Sequence, residues 1–288
     1  MLLCALAILG FLEPQAAAWS LRATIRDSRG APVRDLSPTD VSLADNGATL
    51  ALDRFERDER PARIALVIDS SQPMGSAYRL HFVDAAQAFV ASLPSSTHVV
   101  VWTTGDRPVK VVEDVDLSQE GATREMVSRL KRIAPMGGNT LLDAMAEAAA
   151  DLQKAEADRR ILVVLSAEGP GFLNDTRDGI VDRVLKTGVE VAGVLVPERG
   201  EGSGGEVSSE DYDYVLANLT SRTGGLLERP LSVMGASTAL RRVATDLLST
   251  YRLSFHSTAS RKFKMTLQVA RPGVKVRLSA PQKETSSP

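Results

Sequence analysis

The middle of the chain, residues 63–250, alternates short apolar runs with amphipathic segments, and this alternation restricts the possible folds most. Runs such as RIALVID (63–69) and RRILVVL (159–165) are typical of strands buried on both faces of a sheet. The segments between them, LLDAMAEAAADLQKA most clearly, have helical spacing. Strands that alternate with helices in this way form βαβ units. We therefore predict an α/β fold with a doubly wound, mostly parallel sheet flanked by helices.

The two flanking segments, 19–62 and 251–288, have the two-residue periodicity of half-buried strands. The first contains Asn46-Gly47 between two alternating runs, a strong hairpin signal. Isolated hairpins are marginally stable. We therefore predict that the two segments pair into one small β-sandwich, with the α/β region of 63–250 inserted between them.

Residues 1–18, MLLCALAILGFLEPQAAA, are typical of a secretory signal peptide. The apolar core is followed by Glu13-Pro14 and by small residues suited to cleavage, and it is shorter than the roughly 20 residues that span a bilayer. We predict a secreted, periplasmic or envelope protein without a transmembrane segment after the signal. No Lys or Arg precedes the core, so a start codon upstream of Met1 stays open. Cys4, the only cysteine, leaves open a lipoprotein instead of a cleaved form.

The C-terminal segment is basic, with eight Lys and Arg residues after residue 250 against Glu284 alone. Such a segment can bind nucleic acid or anionic lipid. Its charges alternate with apolar residues, however, as on the solvated face of a strand. We therefore predict no nucleic-acid partner.

Three polar segments follow the predicted strands or open the predicted helices: 69–73 (DSSQP), 137–140 (GGNT) and 166–169 (SAEG). In a doubly wound sheet, ligands bind outside the carboxyl ends of the strands. These segments should therefore converge there. Carboxylate and hydroxyl oxygens are suitable ligands for a hard divalent cation.

At this point the chain closely resembles a von Willebrand factor A domain. That family holds a cation between an Asp-x-Ser-x-Ser turn, a Thr after Gly-Gly and an Asp-Gly that ends the fourth strand. The resemblance implies that Asp69, Ser71, Thr140 and Glu168 are metal ligands, with Glu168 standing where the family has Asp. Pro73 stands where the family has the second Ser, so this metal-ion-dependent adhesion site (MIDAS) is degenerate.

The resemblance extends beyond the domain. The stretch DSRGAPVRDLSPTDVSLADNG (27–47), the motif GGNTLLDAM (137–145) and the turn RPGVKVRL (271–278) are similar to the acidobacterial von Willebrand factor A-related family. The motifs occur in the same order as in that family, so the resemblance covers nearly the whole chain after residue 18.

The implied cofactor is Mg²⁺, with Mn²⁺ or Ca²⁺ as alternatives. Mg²⁺ demands near-octahedral oxygen geometry, and Pro73 removes one hydroxyl. The longer Glu168 suits the looser geometry of Ca²⁺ better. The alternative is a strand end without metal, whose hydroxyls cap neighbouring helices.

We predict a non-enzymatic protein-interaction or adhesion module that binds an unknown protein at the site. If the site holds no metal, contact would rely on loops at 76–78, 172–177 and 199–210. A metal-free scaffold protein of the envelope is the alternative. A hydrolase using Asp69 and Glu168 is a distant third, since the sequence has no nucleophile elbow and no phosphate loop. The sequence does not determine the oligomeric state.

Overall fold

The structure is a computed structural model that describes residues 16–167, 175–197, 209–258 and 262–284. The strands in these ranges are β1 (Ala17–Arg26), β2 (Val41–Asp45), β3 (Ala48–Leu50), β4 (Leu52–Arg57), β5 (Ala62–Ile68), β6 (His98–Thr103), β7 (Val109–Asp116), β8 (Arg159–Ala167), β9 (Glu190–Val196), β10 (Leu227–Glu228), β11 (Thr250–Ser257), β12 (Met265–Val269), β13 (Lys275–Leu278) and β14 (Gln282–Lys283). The α-helices are α1 (Gly75–Ala77), α2 (Val83–Val90), α3 (Ala122–Lys131), α4 (Leu141–Lys154), α5 (Arg177–Lys186), α6 (Ser209–Thr223) and α7 (Ala236–Leu247).

Six strands form a central sheet in the order β10-β9-β8-β5-β6-β7. Every neighbouring pair is parallel except β6 and β7, which are antiparallel. The predicted mostly parallel sheet is therefore confirmed, with β7 as its antiparallel edge strand. We call the end of the sheet where β5, β6, β8 and β9 finish the carboxyl edge, and the opposite end the amino edge.

Helices cover both faces of this sheet, as predicted. Side chains of β5 alternate between the two faces: Ile64, Leu66 and Ile68 face one core, and Ala65 and Val67 face the other. The first core is closed by α2, α3 and α7, and the second by α4, α5 and α6. This double burial explains why the strand sequences are apolar without alternation.

Strands from both ends of the chain form two further sheets, which we call the β-frame. One has the order β13-β1-β11-β4, with β14 also pairing with β1, and the other has the order β12-β2-β3. Between them lies a separate apolar core that includes Ile25, Leu43 and Phe255. The predicted pairing of the two flanking segments into a β-sandwich is confirmed. β1 already begins at Ala17, which lies opposite Ser257; the predicted signal cleavage stays a prediction.

The predicted hairpin at Asn46-Gly47 joins β2 to β3. Asn46 has φ 50° and Gly47 has φ 84°, as the two central residues of a type I′ turn require. Only residues that tolerate positive φ suit these positions.

The β-frame lies at the amino edge of the central sheet. β4 ends at Arg57 shortly before β5 begins at Ala62, and α7 ends at Leu247 shortly before β11 begins. The frame therefore leaves the carboxyl edge uncovered. No helix in the described part of the chain is long and apolar enough to cross a membrane.

Candidate functional site

Asp69 follows β5 directly at the carboxyl edge and has no solvent-exposed surface. Its Oδ1 accepts hydrogen bonds from the backbone N–H of Ser71 at 3.0 Å and from the hydroxyl of Thr104 at 2.9 Å. Its Oδ2 accepts bonds from Nδ2 of Asn139 at 2.7 Å and from the hydroxyl of Ser166 at 2.8 Å. All four donors are electrically neutral. They stabilise the carboxylate without cancelling its charge.

Backbone bonds bring the predicted segments together around this carboxylate. The N–H of Gln72 donates to the carbonyl of Gly137 at 3.0 Å, and the N–H of Met136 donates to the carbonyl of Ser70 at 3.1 Å. The hydroxyl of Ser70 donates to the carbonyl of Thr104 at 2.6 Å. The ends of β5, β6 and β8 and the loop before α4 therefore meet at one place.

The Gly-Gly pair has a geometric reason. Gly137 has φ 72°, and a Cβ there would lie 2.5 Å from Oδ1 of Asp106. That same oxygen accepts the N–H of Gly138 at 2.9 Å. A side chain at 137 would displace the loop that presents Asn139 and Thr140 to the site.

Two of the predicted ligands have hydroxyl oxygens that are buried and unpartnered. Oγ of Ser71 and Oγ1 of Thr140 make no hydrogen bond, although both residues are buried. Leaving a buried hydroxyl unpaired costs about 1–3 kcal/mol, so such groups in a folded protein need an explanation. Oxygens of this kind beside a carboxylate fit a hard divalent cation. The donor set is therefore compatible with a metal.

Tyr212 on α6 is a third buried residue whose polar atom has no partner. Burial raises the pKa of its phenol well above its usual value, and the negative charges of Asp69 and Asp143 raise it further. The phenol of Tyr212 therefore interacts electrostatically with both carboxylates. No sequence pattern points to Tyr212, because its place at the site depends on how α6 packs.

The remaining predicted positions contribute less. Pro73 lies exposed in the short 3₁₀ turn Gln72–Met74 and offers no side-chain oxygen. Glu168, the fourth predicted ligand, lies outside the described residues. Within the described ranges there is no group of three or more His, Cys, Asp or Glu side chains that could hold a metal. Among the described residues, the candidate ligands at this edge are therefore two hydroxyls and the carboxylate of Asp69.

Of the loops predicted to make metal-free contact, residues 76–78 belong to the helical segment that runs from α1 into a π-helical turn at Tyr78–Phe82. That prediction of a loop was wrong. Residues 172–174 and 199–208 of the other two loops lie outside the described residues. Asp69, Ser71 and the 137–140 loop do meet at the carboxyl edge, as the topology of the sheet requires.

The architecture is that of a doubly wound α/β domain, with a helical layer on each face of the sheet and a hydroxyl-rich turn after the central strand. Residues 64–230, more than half of the chain, match the sequence model of the von Willebrand factor type A domain. The chain belongs to the von Willebrand factor type A domain family. No curated protein matches it significantly. The narrower likeness of the flanking segments stays a prediction.

Solved structures show the same fold. A von Willebrand factor type A protein from Catenulispora acidiphila is 10% identical, with a TM-score of 0.53 over 96% of this chain and 72% of that chain. The pilus adhesin SpaC from Lactobacillus rhamnosus GG is 12% identical, with a TM-score of 0.53 over 75% of this chain and 36% of that chain. Proximal thread matrix protein 1 from the mussel byssus, with a zinc-occupied MIDAS motif, is 17% identical, with a TM-score of 0.52 over 71% of this chain and 50% of that chain.

This chain therefore spans half or less of the mussel protein and of the adhesin. At these identities the likeness is one of fold alone.

Proposed function

We propose that this protein is an exported, non-enzymatic interaction module that binds a protein partner at the carboxyl edge of its central sheet. The main support for this proposal is the position of the exposed apolar residues. Among the described residues, the large apolar side chains that are exposed all lie at or near that edge, which the β-frame leaves open. They are Leu80, Val109, Met136, Leu231 and Met234.

The positions of four of them follow from the topology. Val109 lies opposite Thr103, the last residue of β6. Met136 is bonded through its backbone to Ser70, directly after Asp69. Leu231, which is 91% exposed, and Met234 follow β10, which pairs in parallel with the later part of β9. Exposed apolar groups gathered on one face, beside a polar site, mark interaction surfaces.

Ser71 and Thr140 are the residues that would hold a divalent cation, with Asp69 supplying negative charge. A bound cation would supply a positive charge to which a carboxylate of the partner could bind. The buried, unpartnered hydroxyls support this proposal, and the mussel matrix protein with a zinc-occupied MIDAS motif has the same fold. The cation would be Mg²⁺, Mn²⁺ or Ca²⁺.

A second candidate is a metal-free scaffold protein of the envelope. Both oxygens of Asp69 already accept two hydrogen bonds each, so the carboxylate is satisfied without a cation. In that case the edge would be structural, and removal of metal would change nothing.

Export is proposed from the signal-like residues 1–18. Mass spectrometry of the N-terminus of protein recovered from envelope and extracellular fractions tests it. A mature N-terminus near Ala18 supports the proposal, and intact protein confined to the cytoplasm contradicts it.

The binding proposal is tested by immobilising the protein and incubating it with envelope extract, with and without EDTA. The variant Met136→Ser/Leu231→Ser/Met234→Ser should lose the captured partner while keeping its fold. The control Ala48→Ser changes an exposed apolar residue of the β-frame and should capture the partner normally. Capture that is unchanged in the triple variant would contradict binding at this edge. Loss with EDTA supports the cation-dependent form over the scaffold.

A further inference from the structure

A cleft of about 400 Å³ lies between the β-frame and the amino edge of the central sheet. One wall consists of residues 20–22 of β1 and 282–284 around β14. The other wall consists of residues 157–160 at the start of β8, together with Thr187 and Gly188. The walls come close together, since a Cβ at Gly188 would lie 4.0 Å from the side-chain nitrogen Nε2 of Gln282. The cleft is at the opposite end of the sheet from Asp69.

The lining of this cleft is strongly cationic. Six cationic side chains line it: Arg22, Arg60, Arg159, Arg160, Arg252 and Lys283. Four carboxylates face them, of which two are in the lining and two lie directly behind it: Asp158, Glu284, Asp58 and Glu190. The cleft therefore has two positive charges in excess.

Most of the arginines are already engaged. Arg60 pairs with Asp58 at 2.6 Å, and Arg252 pairs with Glu284 at 2.7 Å. These two ion pairs stabilise the lining, because each side chain in them is held by its partner.

Glu190 serves two arginines. Arg159 donates to it at 2.8 Å, and Nε of Arg22 lies 3.5 Å from the same oxygen. Burial lowers the pKa of Arg22; Glu190 opposes this, and the positive charge of Arg159 adds to the lowering. Nε of Arg159 also lies 3.8 Å from Asp58, the partner of Arg60, so two carboxylates serve three guanidinium groups here.

Arg160 and Lys283 have no ion pair within the described residues. Nε of Arg160 is buried without a hydrogen-bond partner. A buried guanidinium N–H without an acceptor is costly, and an anion in the cleft would supply the acceptor. Lys283 is exposed at the rim, on the opposite wall.

We propose that this cleft binds a phosphate group, with Arg160 and Lys283 as its principal ligands. Two unpaired cations balance the charge of about −1.5 to −2 that a phosphate monoester carries near neutral pH, and guanidinium groups bind phosphate oxygens with directed hydrogen bonds. The volume leaves room for a phosphoryl group that is part of a larger molecule. The site is independent of the carboxyl edge.

Isothermal titration calorimetry of the purified protein with inorganic phosphate and with glycerol 3-phosphate tests the proposal. Ionic strength is held constant with sodium chloride. We expect saturable binding of at least one of the two probes. Binding of inorganic phosphate alone assigns the site to the free anion, and binding of the monoester as well assigns it to a phosphoryl group carried on a larger molecule.

The variants Arg160→Gln and Lys283→Gln should each weaken binding by about tenfold, the effect of losing one charge-assisted hydrogen bond. The control Arg124→Gln removes the same charge from an exposed arginine of α3 and should bind normally. Lys283 is exposed, so its variant keeps the test valid if Arg160→Gln unfolds. No saturable heat with either probe, or equal affinity in Lys283→Gln and the control, would overturn the proposal.

Discussion

The two ends of the central sheet both bury carboxylates, but they compensate the charge in different ways. At the carboxyl edge, Asp69 accepts four hydrogen bonds from neutral donors. At the amino edge, Asp58 and Glu190 are paired with the guanidinium groups of Arg60 and Arg159. Neutral donors stabilise a charge and leave it in place, whereas guanidinium groups cancel it. The first arrangement can attract a cation; the second joins the β-frame to the α/β domain.

The largest effect is expected at the amino edge. Glu190→Ala removes the nearer carboxylate, at 2.8 Å, from Arg159, which is 4% exposed, and leaves it only Asp58 at 3.8 Å, which already pairs with Arg60. Breaking a buried pair from one side costs about 3–5 kcal/mol of unfolding free energy, measured by urea denaturation. The control Glu125→Ala breaks an exposed i,i+4 pair and should change stability by less than about 0.5 kcal/mol. Equal effects in the two variants would contradict the structural role of Glu190.

At the carboxyl edge, Asp69→Asn without added metal should cost about 1–3 kcal/mol, because the new amide group faces donors where the carboxylate had accepted hydrogen bonds. Urea denaturation in EDTA measures this. A loss of unfolding free energy as large as that of Glu190→Ala would contradict the difference between neutral donors at one edge and guanidinium groups at the other.

The pH dependence of stability should depend on the amino edge. Burial alone would raise the pKa of Asp58, but hydrogen bonds from Arg60 and the charge of Arg159 outweigh it and hold that pKa below its usual value. Its contribution to stability is therefore complete above about pH 4, the unfolded value, and is lost as pH falls through the lower folded value.

The measurement for this prediction is the unfolding free energy between pH 7 and pH 3 for wild type and Asp58→Asn. Below about pH 4, stability should fall less steeply in the variant, since one titrating group with a lowered pKa is gone. Parallel curves in that range would show that Asp58 contributes nothing to the acid sensitivity.

The smallest effect on stability is expected for the exposed apolar residues of the carboxyl edge. Leu231→Ser removes a side chain that is almost fully exposed, and the unfolding free energy should stay within about 0.5 kcal/mol of wild type. Thermal and urea denaturation check this. A larger loss would mean that Leu231 stabilises the fold and is not a free contact surface.

The architecture was predictable because its signals are local. Apolar strand runs, helical spacing and the Asn46-Gly47 turn each depend on a few neighbouring residues. The place of Asp69 and Ser71 after the central strand follows from the same local signals. The hydrogen-bond partners of Asp69 could not be predicted in this way. Thr104, Asn139 and Ser166 come from three separate segments and meet only through the register of the strands.

The ion pairs at the amino edge could not be predicted for the same reason. The pair between Arg159 and Glu190 depends on the register of β8 and β9, and Arg22 reaches Glu190 from β1 of the β-frame. Charged residues at strand ends are usually solvated, so neither residue type nor spacing distinguishes these from surface residues.

The most direct test of the carboxyl edge compares wild type with Thr140→Val by urea denaturation, with EDTA and with millimolar Mn²⁺. Without cation, Thr140→Val should be at least as stable as wild type, because it replaces an unpartnered buried hydroxyl by a methyl group. With Mn²⁺, wild type and the exposed control Thr49→Val should gain stability by ligand linkage, and Thr140→Val should not. No gain by wild type, or an equal gain by Thr140→Val, would contradict a cation site at this edge.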